Sequence, residues 1–287
     1  MPADGLAAAC RDLVQIYPAA DRAVAALRGV DADFERGSIT MVIGPSGAGK
    51  STLLRLLACL ERPAAGEVVI GGERTAHLGP RARRQLAARR LGYVFQRPAE
   101  NLLDYLTVRE HMTLAERMRA TAARRGDRRA ADPAAPEDAF VVDSLLEATG
   151  LVDLTDRRPR DLSTGEQQRL AFAMAVVGDP ALVIADEPSA ELDAAATAAL
   201  ADLLARLSSL GTTLVVASHD PALMAVADQV LVIRNGTLAA CGIGADAPLA
   251  VLDAAGRILL PEDVADLLPE RRARVATEGD VIRIERP

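Results

Sequence analysis

The sequence predicts an α/β fold: a parallel sheet covered by helices on both faces and built around a phosphate-binding loop. Three observations carry that expectation. Short apolar, β-branched runs alternate with helical periodicity through most of the 287 residues. Gly44-Pro45-Ser46-Gly47-Ala48-Gly49-Lys50-Ser51 has the spacing GxxxxGK[ST], the pattern of a loop that cradles phosphates. Ala181 to Ala185 is an apolar strand that ends in two carboxylates, Asp186 and Glu187. This length accommodates one large α/β domain plus an appendage.

Taken in order, Leu13 to Ile16 and Ala23 to Phe34 read as strands around a polar turn containing Pro18 and Asp21, an antiparallel layer ahead of the loop. Ser38 to Ile43 is a β-branched strand, and Ser51 to Leu60 has the apolar density of a buried helix. Strand, loop, helix is the context a phosphate loop requires. Gly92 to Gln96 is another short strand. Helical periodicity follows over Thr107 to Ala120, Glu137 to Thr149 and Gly165 to Val177, with Ala122 to Pro136 expected as a polar, mobile loop. The α/β alternation resumes with a strand at Leu182 to Ala185, a helix at Ala194 to Ser209 and strands at Thr212 to Ala217 and Gln229 to Ile233. Asn235-Gly236 then makes a hairpin turn.

Lys50 is the only lysine; the remaining members of the 33 Lys and Arg residues are all arginine. Arginine serves wherever a fixed positive charge suffices, but a compact ammonium fits inside a tight backbone loop where a planar guanidinium fork is too large. Compositional bias accounts for the absence of lysine elsewhere, not for the position of the one that remains.

Bulk properties exclude several classes. A net charge of −7 argues against a nucleic-acid surface as the main partner, and the arginine clusters at Arg81 to Arg90 and Arg117 to Arg129 read as solvated helix faces. Cys10, Cys59 and Cys241 lack metal-ligand spacing and an even count, which fits a reducing compartment. No apolar run approaches the ~20 residues that span a bilayer. Leu6 to Cys10 lacks the preceding basic and apolar regions of a lipoprotein signal. The expectation is a cytoplasmic chain whose membrane role comes through a partner.

Asp186, at the carboxyl end of a buried strand beside the loop, suits Mg²⁺ held together with the Ser51 hydroxyl. Glu187 is placed to polarise a water or act as general base. An acidic pair at a strand end says little alone; paired with a phosphate loop it is specific. Just upstream lies Leu162-Ser163-Thr164-Gly165-Glu166-Gln167-Gln168-Arg169, and Gln96, Ser189-Ala190-Glu191-Leu192-Asp193 and His219 complete an ordered series. Over roughly residues 6 to 240 this series resembles the ABC transporter ATPases. Gly165 to Arg169 and Ala185 to Pro188 are most similar to the branch serving lipoprotein release, macrolide export and cell-division complexes.

The resemblance implies a P-loop, RecA-like core with an antiparallel β layer and an inserted helical subdomain at about residues 97–178. It implies ATP and Mg²⁺ as cofactors, and ATP hydrolysis by a dimer, homomeric or with a related ATPase, that drives integral membrane permease subunits from the cytoplasmic face. A non-transport ATPase regulating an envelope or DNA-associated partner is the alternative; the absence of a long heptad run and of a second ATPase domain favours transport. By position, Tyr17 would stack on adenine. Gly44, Pro45, Ser46, Gly47, Ala48, Gly49, Lys50, Ser51 and Thr52 would wrap the phosphates. Ser51, Gln96 and Asp186 would hold the metal, and Glu187, His219, Gln96 and Lys50 would carry the chemistry. Ser163, Gly165 and Glu166 would reach the nucleotide of a partner protomer, Asp193 would bridge the two sites and His219 would contact the γ-phosphate. Arg97 to Leu106 would line the groove for a permease coupling helix. His77 and His111 are read as ordinary structural residues. Thr164 departs from the glycine usual at its place, and Glu191 is unusual in the dimer-bridging loop.

After residue 244 the character changes. Val251 to Pro261 reads as strand, turn, strand, Glu262 to Leu268 as a short helix and Ala273 to Arg283 as a hairpin around Glu278-Gly279-Asp280. This β-rich extension, residues 245–287, resembles the swapped-hairpin half-barrels of the AbrB type; a family-specific extension packed on the ATPase domain is the equal alternative.

Lys50 offers a direct assay, because an amine-directed reagent has no other side-chain amine to find. Labelling of Lys50, followed by mass spectrometry, is expected to slow several-fold in saturating MgATP. Labelling at the same rate with and without MgATP contradicts the phosphate-loop assignment.

Overall fold

A computed structural model of the chain describes residues 5–18, 23–126, 142–243, 249–250, 274–278 and 281–285. It begins with β1 (Leu6–Pro18), β2 (Ala23–Glu35), β3 (Ile39–Ile43), α1 (Lys50–Leu57), β4 (Ala65–Ile70), β5 (Glu73–Arg74), α2 (Pro80–Arg90) and β6 (Leu91–Val94). The helical middle is α3 (Val108–Gly126), α4 (Val142–Thr149) and α5 (Thr164–Val176). Then come β7 (Leu182–Asp186), α6 (Ala194–Ser209), β8 (Leu214–Ala217), α7 (Pro221–Met224), β9 (Gln229–Arg234), β10 (Thr237–Ile243), β11 (Leu249–Ala250), β12 (Arg274–Glu278) and β13 (Val281–Glu285).

The main sheet has the order β11-β10-β9-β3-β8-β7-β6. Strands β9, β3, β8, β7 and β6 are parallel, and β10 and β11 add antiparallel pairs at one edge. Period-two alternation splits the central strands between two cores. Met41, Val183, Ala185, Leu214 and Val216 join Phe172 and Leu204 on the face covered by α5 and α6. Val42, Ile184, Val215, Ala217 and Leu231 join Leu53 and Leu57 of α1 on the other. A second, antiparallel sheet of order β2-β1-β4-β5 closes over α1, so the helix after the phosphate loop packs between two sheets. Leu53, Leu54, Leu56 and Leu57 are buried there, each worth about 2 kcal/mol of transfer free energy.

The parallel sheet covered on both faces is as expected. The antiparallel layer has four strands where two were read, because β4, which follows α1 in the chain, pairs with β1, and β5 pairs with β4. The expected loop from Ala122 is corrected in part. Residues 122–126 continue α3, since Ala122, Ala123, Arg124 and Arg125 are good helix formers and only Gly126 interrupts them; residues 127–136 lie outside the described residues. Thr107 and Glu110 form the cap at the other end: Thr107 N–H donates to the Glu110 carboxylate (2.8 Å) and Glu110 N–H to the Thr107 hydroxyl (3.3 Å). The predicted C-terminal hairpin is present as β12–β13, while the strands read at Val251 to Pro261 and the helix at Glu262 to Leu268 fall outside the described residues. β11 lies beyond residue 244 yet pairs with β10. No helix among the described residues is long and apolar enough to cross a membrane.

Arg119 overturns the reading of its cluster as a wholly solvated face. Its guanidinium is largely buried and donates to four backbone carbonyls: Ala88 (2.9 Å), Leu91 (2.9 Å), Ala175 (3.2 Å) and Val177 (3.0 Å). Those oxygens belong to the last turns and caps of α2 and α5, where helix carbonyls lack intrahelical donors and the helix dipole is negative. Burial without a counter-carboxylate pulls the Arg119 pKa down to about 10. Gly178 (φ +71°) makes room, since a Cβ there would stand 2.5 Å from Arg119 Cγ. One side chain of α3 thereby fastens α2, the start of β6 and the end of α5.

Replacing Arg119 by Met keeps the length and removes every donor, leaving carbonyls at two helix ends unsatisfied. Urea denaturation is expected to show a loss of about 3 kcal/mol, against less than about 0.5 kcal/mol for Arg81→Met on the exposed face of α2. Equal midpoints for the two variants would refute this role.

Candidate functional site

The phosphate loop lies between β3, buried up to the half-buried Ile43, and α1. Gly44 (φ +148°) lets the chain pass under β9: a Cβ there would meet the Ile233 carbonyl oxygen at 2.1 Å. α1 begins at Lys50 with no side-chain cap and no acid in its first turn, so its first N–H groups and its positive dipole end face the cleft. Lys50 Nζ folds back across the loop and donates to the carbonyls of Gly44 (2.7 Å) and Pro45 (3.3 Å). An uncapped helix start with an ammonium curled over it fits a polyphosphate.

The cleft measures about 580 Å³. Gly44, Pro45, Ser46, Gly47, Gly49, Lys50, Ser51 and Thr52 line it together with Asp186, Glu187 and His219. β7 is buried until Asp186, after which Glu187 adopts φ +46°, a left-handed conformation costly for a side-chain-bearing residue. Its N–H donates to the Ala217 carbonyl (2.8 Å), which holds the turn against β8. His219 Nδ1 lies 3.1 Å from Glu187 Oε2, its side chain 84% exposed and that of Glu187 19%. Among the described residues no three His, Cys, Asp or Glu side chains cluster to hold a metal. Ser51 and Asp186 line the same cleft with one hydroxyl and one carboxylate, the oxygen donors that fit Mg²⁺, which takes one or two protein oxygens and completes its shell with phosphate and water.

Tyr17 ends β1 beside this cleft, half-buried. Its hydroxyl donates to the Glu61 carboxylate and lies near the Thr52 hydroxyl. Burial, then the Glu61 carboxylate, push its pKa above the ordinary value. Ala48 is buried beneath the loop. Gln96 is exposed and stands two residues past Val94, the last residue pairing β6 with β7, so it lies at the same sheet edge as Glu187 without lining the cleft.

The remaining predicted residues are elsewhere on the chain. Ser163 caps α5 in a capping box: its hydroxyl accepts from Glu166 N–H (3.3 Å), and the Glu166 carboxylate accepts from Ser163 N–H (2.7 Å) and from its hydroxyl (2.9 Å). Thr164 is exposed at the first helical position, and Gly165 is buried against Ala196, where a Cβ would approach within 3.1 Å. Asp193 caps α6 through Ala196 N–H (2.8 Å). Glu191 pairs with Arg97 at 3.6 Å, joining the loop after Gln96 to the loop after Glu187. None of these side chains lines the cleft that holds Lys50.

A family model described as ABC transporter matches residues 27–190. An uncharacterized ABC transporter ATP-binding protein of Thermotoga maritima is 38% identical over 227 residues, 79% of this chain and 91% of that protein. The lipoprotein-releasing system ATP-binding protein LolD of Pseudomonas fluorescens is 36% identical over 232 residues, 80% of this chain and 96% of LolD. The macrolide export ATP-binding/permease protein MacB 1/2 of Paracoccus denitrificans is 35% identical, and the match spans 78% of this chain but 31% of that longer protein. Among solved structures, the dimeric bacterial ABC transporter cassette MJ0796 superposes with a TM-score of 0.67 at 25% identity, over 82% of this chain and 98% of that one. The same cassette in a dimeric post-hydrolysis state bound to ADP and Pi gives 0.65, again at 25% identity and the same coverage.

Three residues that shape the surroundings carried no motif: Glu61, Asn101 and His111. Asn101 fastens the loop after β6, accepting from Phe95 N–H (2.9 Å) and donating to the Arg97 carbonyl (3.1 Å). His111 is wholly buried; Leu103 N–H donates to its Nε2 (2.8 Å), so its Nδ1–H donates to the Thr107 carbonyl (2.8 Å). Only a buried polar residue in an apolar helix pattern marked it. Protonation would destroy the acceptor, and burial lowers the His111 pKa from 6.5, outweighing the opposing effects of Thr107 and Glu110. Between the lowered folded value and 6.5 the unfolded chain binds more protons, so stability rises with pH across that window. The melting temperature is expected to fall as pH drops from about 7.5 to about 5.5, and to fall less in His111→Gln. A parent and variant with identical pH slopes would exclude His111 as the source.

Proposed function

The chain belongs to the ABC transporter family as an ATP-binding, ATP-hydrolysing subunit, and from that premise we propose how its residues divide the work. The observation that carries the proposal is the cleft that gathers Lys50, Ser51, Asp186, Glu187 and His219 from the ends of three adjacent strands. Lys50 leaves the Gly44 and Pro45 carbonyls to bind phosphate oxygens, alongside the N–H groups at the start of α1. Ser51 and Asp186 would hold Mg²⁺, with Gln96 at the edge; when bound it neutralises charge on the phosphate oxygens and lowers the barrier to attack.

Glu187 orients and deprotonates the attacking water, and His219, bonded to it, holds the carboxylate in place and faces the terminal phosphate. The strained Glu187 backbone aims that carboxylate into the cleft instead of along the strand. Tyr17 stacks on the base.

Ser163, Gly165 and Asp193 act in a second protomer's site. They stand at the starts of α5 and α6, outside their own chain's cleft, which is the arrangement a two-chain site needs. Glu166 locks Ser163 in the capping box and so sets the helix start that is presented. Phe95, Leu103 and Tyr105, the last 67% exposed, form an apolar surface on the loop after β6 and receive the permease. The subunit works at the cytoplasmic face of the membrane through that permease, in the branch nearest lipoprotein release and macrolide export.

Glu187→Gln tests this reading. It is expected to bind MgATP, to lose hydrolysis by about 10² or more, and to accumulate as a dimer by size-exclusion chromatography with MgATP. Turnover at the parent rate would remove Glu187 from the mechanism.

A further inference from the structure

Glu61 lies beyond the end of α1 and belongs to no motif, yet three donors from two other segments converge on its carboxylate. The Tyr17 hydroxyl donates to Oε2, Gln15 Nε2 donates to Oε2 (3.4 Å) and Arg55 Nη1 stands 3.8 Å from Oε1. Gln15 is itself buried and fixed from the other side, its Oε1 accepting from Ala64 N–H (3.0 Å). The ring of Tyr17 is therefore held at its hydroxyl end by a network reaching from the foot of the phosphate-loop helix. At the other end of the same helix, the Thr52 hydroxyl is near the Tyr17 hydroxyl and Thr52 lines the cleft. The neighbouring strand touches the loop as well: Ala26 of β2 lines the cleft, and its carbonyl oxygen closes on Gly49.

We propose that Glu61 is a positioning residue for the nucleotide base, fixing the Tyr17 ring at the edge of the cleft so that the base meets a preordered surface. The proposal rests on the reading of Tyr17 as the stacking residue. A tyrosine near the end of β1, where β2 alone still pairs with it, has two free side-chain torsions, and ordering it on binding costs affinity. A hydroxyl anchored beforehand removes part of that cost. Because burial and Glu61 raise the Tyr17 pKa, the hydroxyl remains a donor throughout the neutral range. The anchor acts on the base alone, since the phosphates are bound by the loop and by Lys50. Glu61 should thus separate recognition of the base from recognition of the triphosphate.

Steady-state hydrolysis by the full chain, with inorganic tripolyphosphate as a competitor lacking the base, tests this directly. Glu61→Ala is expected to raise KM for MgATP about three- to five-fold with little change in kcat, and Tyr17→Ala about ten-fold or more. Glu61→Gln, whose amide oxygen still accepts from the hydroxyl, should restore most of the affinity. Tyr17→Phe should match Glu61→Ala, and combining the two should add nothing further. Inhibition by tripolyphosphate should be the same in all of them. A parallel loss of tripolyphosphate binding in Glu61→Ala would mean general damage to the loop and overturn the proposal, as would an unchanged KM in a parent that hydrolyses MgATP. A parent with no MgATP hydrolysis would instead overturn the functional reading, and this proposal with it.

Discussion

The parallel pairing of β3 with β8 and of β8 with β7 sets three carboxyl ends side by side, and the chain leaving each carries part of the site. β3 feeds the loop that ends in Lys50, β7 ends in Asp186 and turns at Glu187, and β8 leads through Ser218 to His219. Antiparallel pairing would send neighbouring ends to opposite edges. Because these strands are buried on both faces, their register is determined by two cores at once, and a one-residue slip would exchange the two sets of side chains. The cleft outside the carboxyl ends is thus a consequence of sheet direction, and its chemistry depends on a register that burial enforces.

Around that sheet, two attachments set the position of parts that are not in it. α1 is clamped between the main sheet and the antiparallel one, so the uncapped helix start that faces the cleft cannot tilt without opening a core. On the far side, Arg119 draws the ends of α2 and α5 together through carbonyls alone. That contact links the start of β6, which leads to Gln96, with the helix that begins at Ser163. Motion of the helical region relative to the sheet would be felt at both places. The Arg97–Glu191 pair makes a second link at the other end of β6, between loops at the same sheet edge. As an exposed pair it contributes little to stability, and it gives Glu191 a partner.

At the starts of α5 and α6, the residues proposed to act in a second protomer's site also hold the local structure of their own chain. Ser163 and Glu166 satisfy one another in a capping box, and Asp193 caps α6, so each has a sufficient structural role within its own chain. Gly165 packs against Ala196 between those two helices, which keeps their starts adjacent. Both helix starts, each capped within the chain, form a surface outside the cleft that holds Lys50. Thr164 adds a β-branched side chain to that surface where it is exposed, and nothing in the fold requires it.

The phosphate loop, the Asp186/Glu187 pair and the strand before each were legible because each is contiguous: spacing of a few residues specifies the backbone geometry and the chemistry together. Among the described residues, the boundaries of the helices read were legible to within a turn except where residues 122–126 continued α3 through what composition marked as a loop. The partners of Glu61, His111 and Arg119, and the two further strands of the second sheet, were not legible. Tyr17 and Glu61 are 44 residues apart and Arg119 and Val177 are 58 apart, and nothing local to either partner records the other. The sequence by itself determined the family of this ATP-binding chain and where its one lysine and its paired carboxylates stand, since the loop around Lys50 and the strand ending in Asp186 and Glu187 are each specified by residues in short-range order. Only the tertiary structure decided which buried polar groups hold that machinery in place, because a hydrogen bond inside a core is specified by the packing that excludes water from it, and packing is a property of the whole sheet.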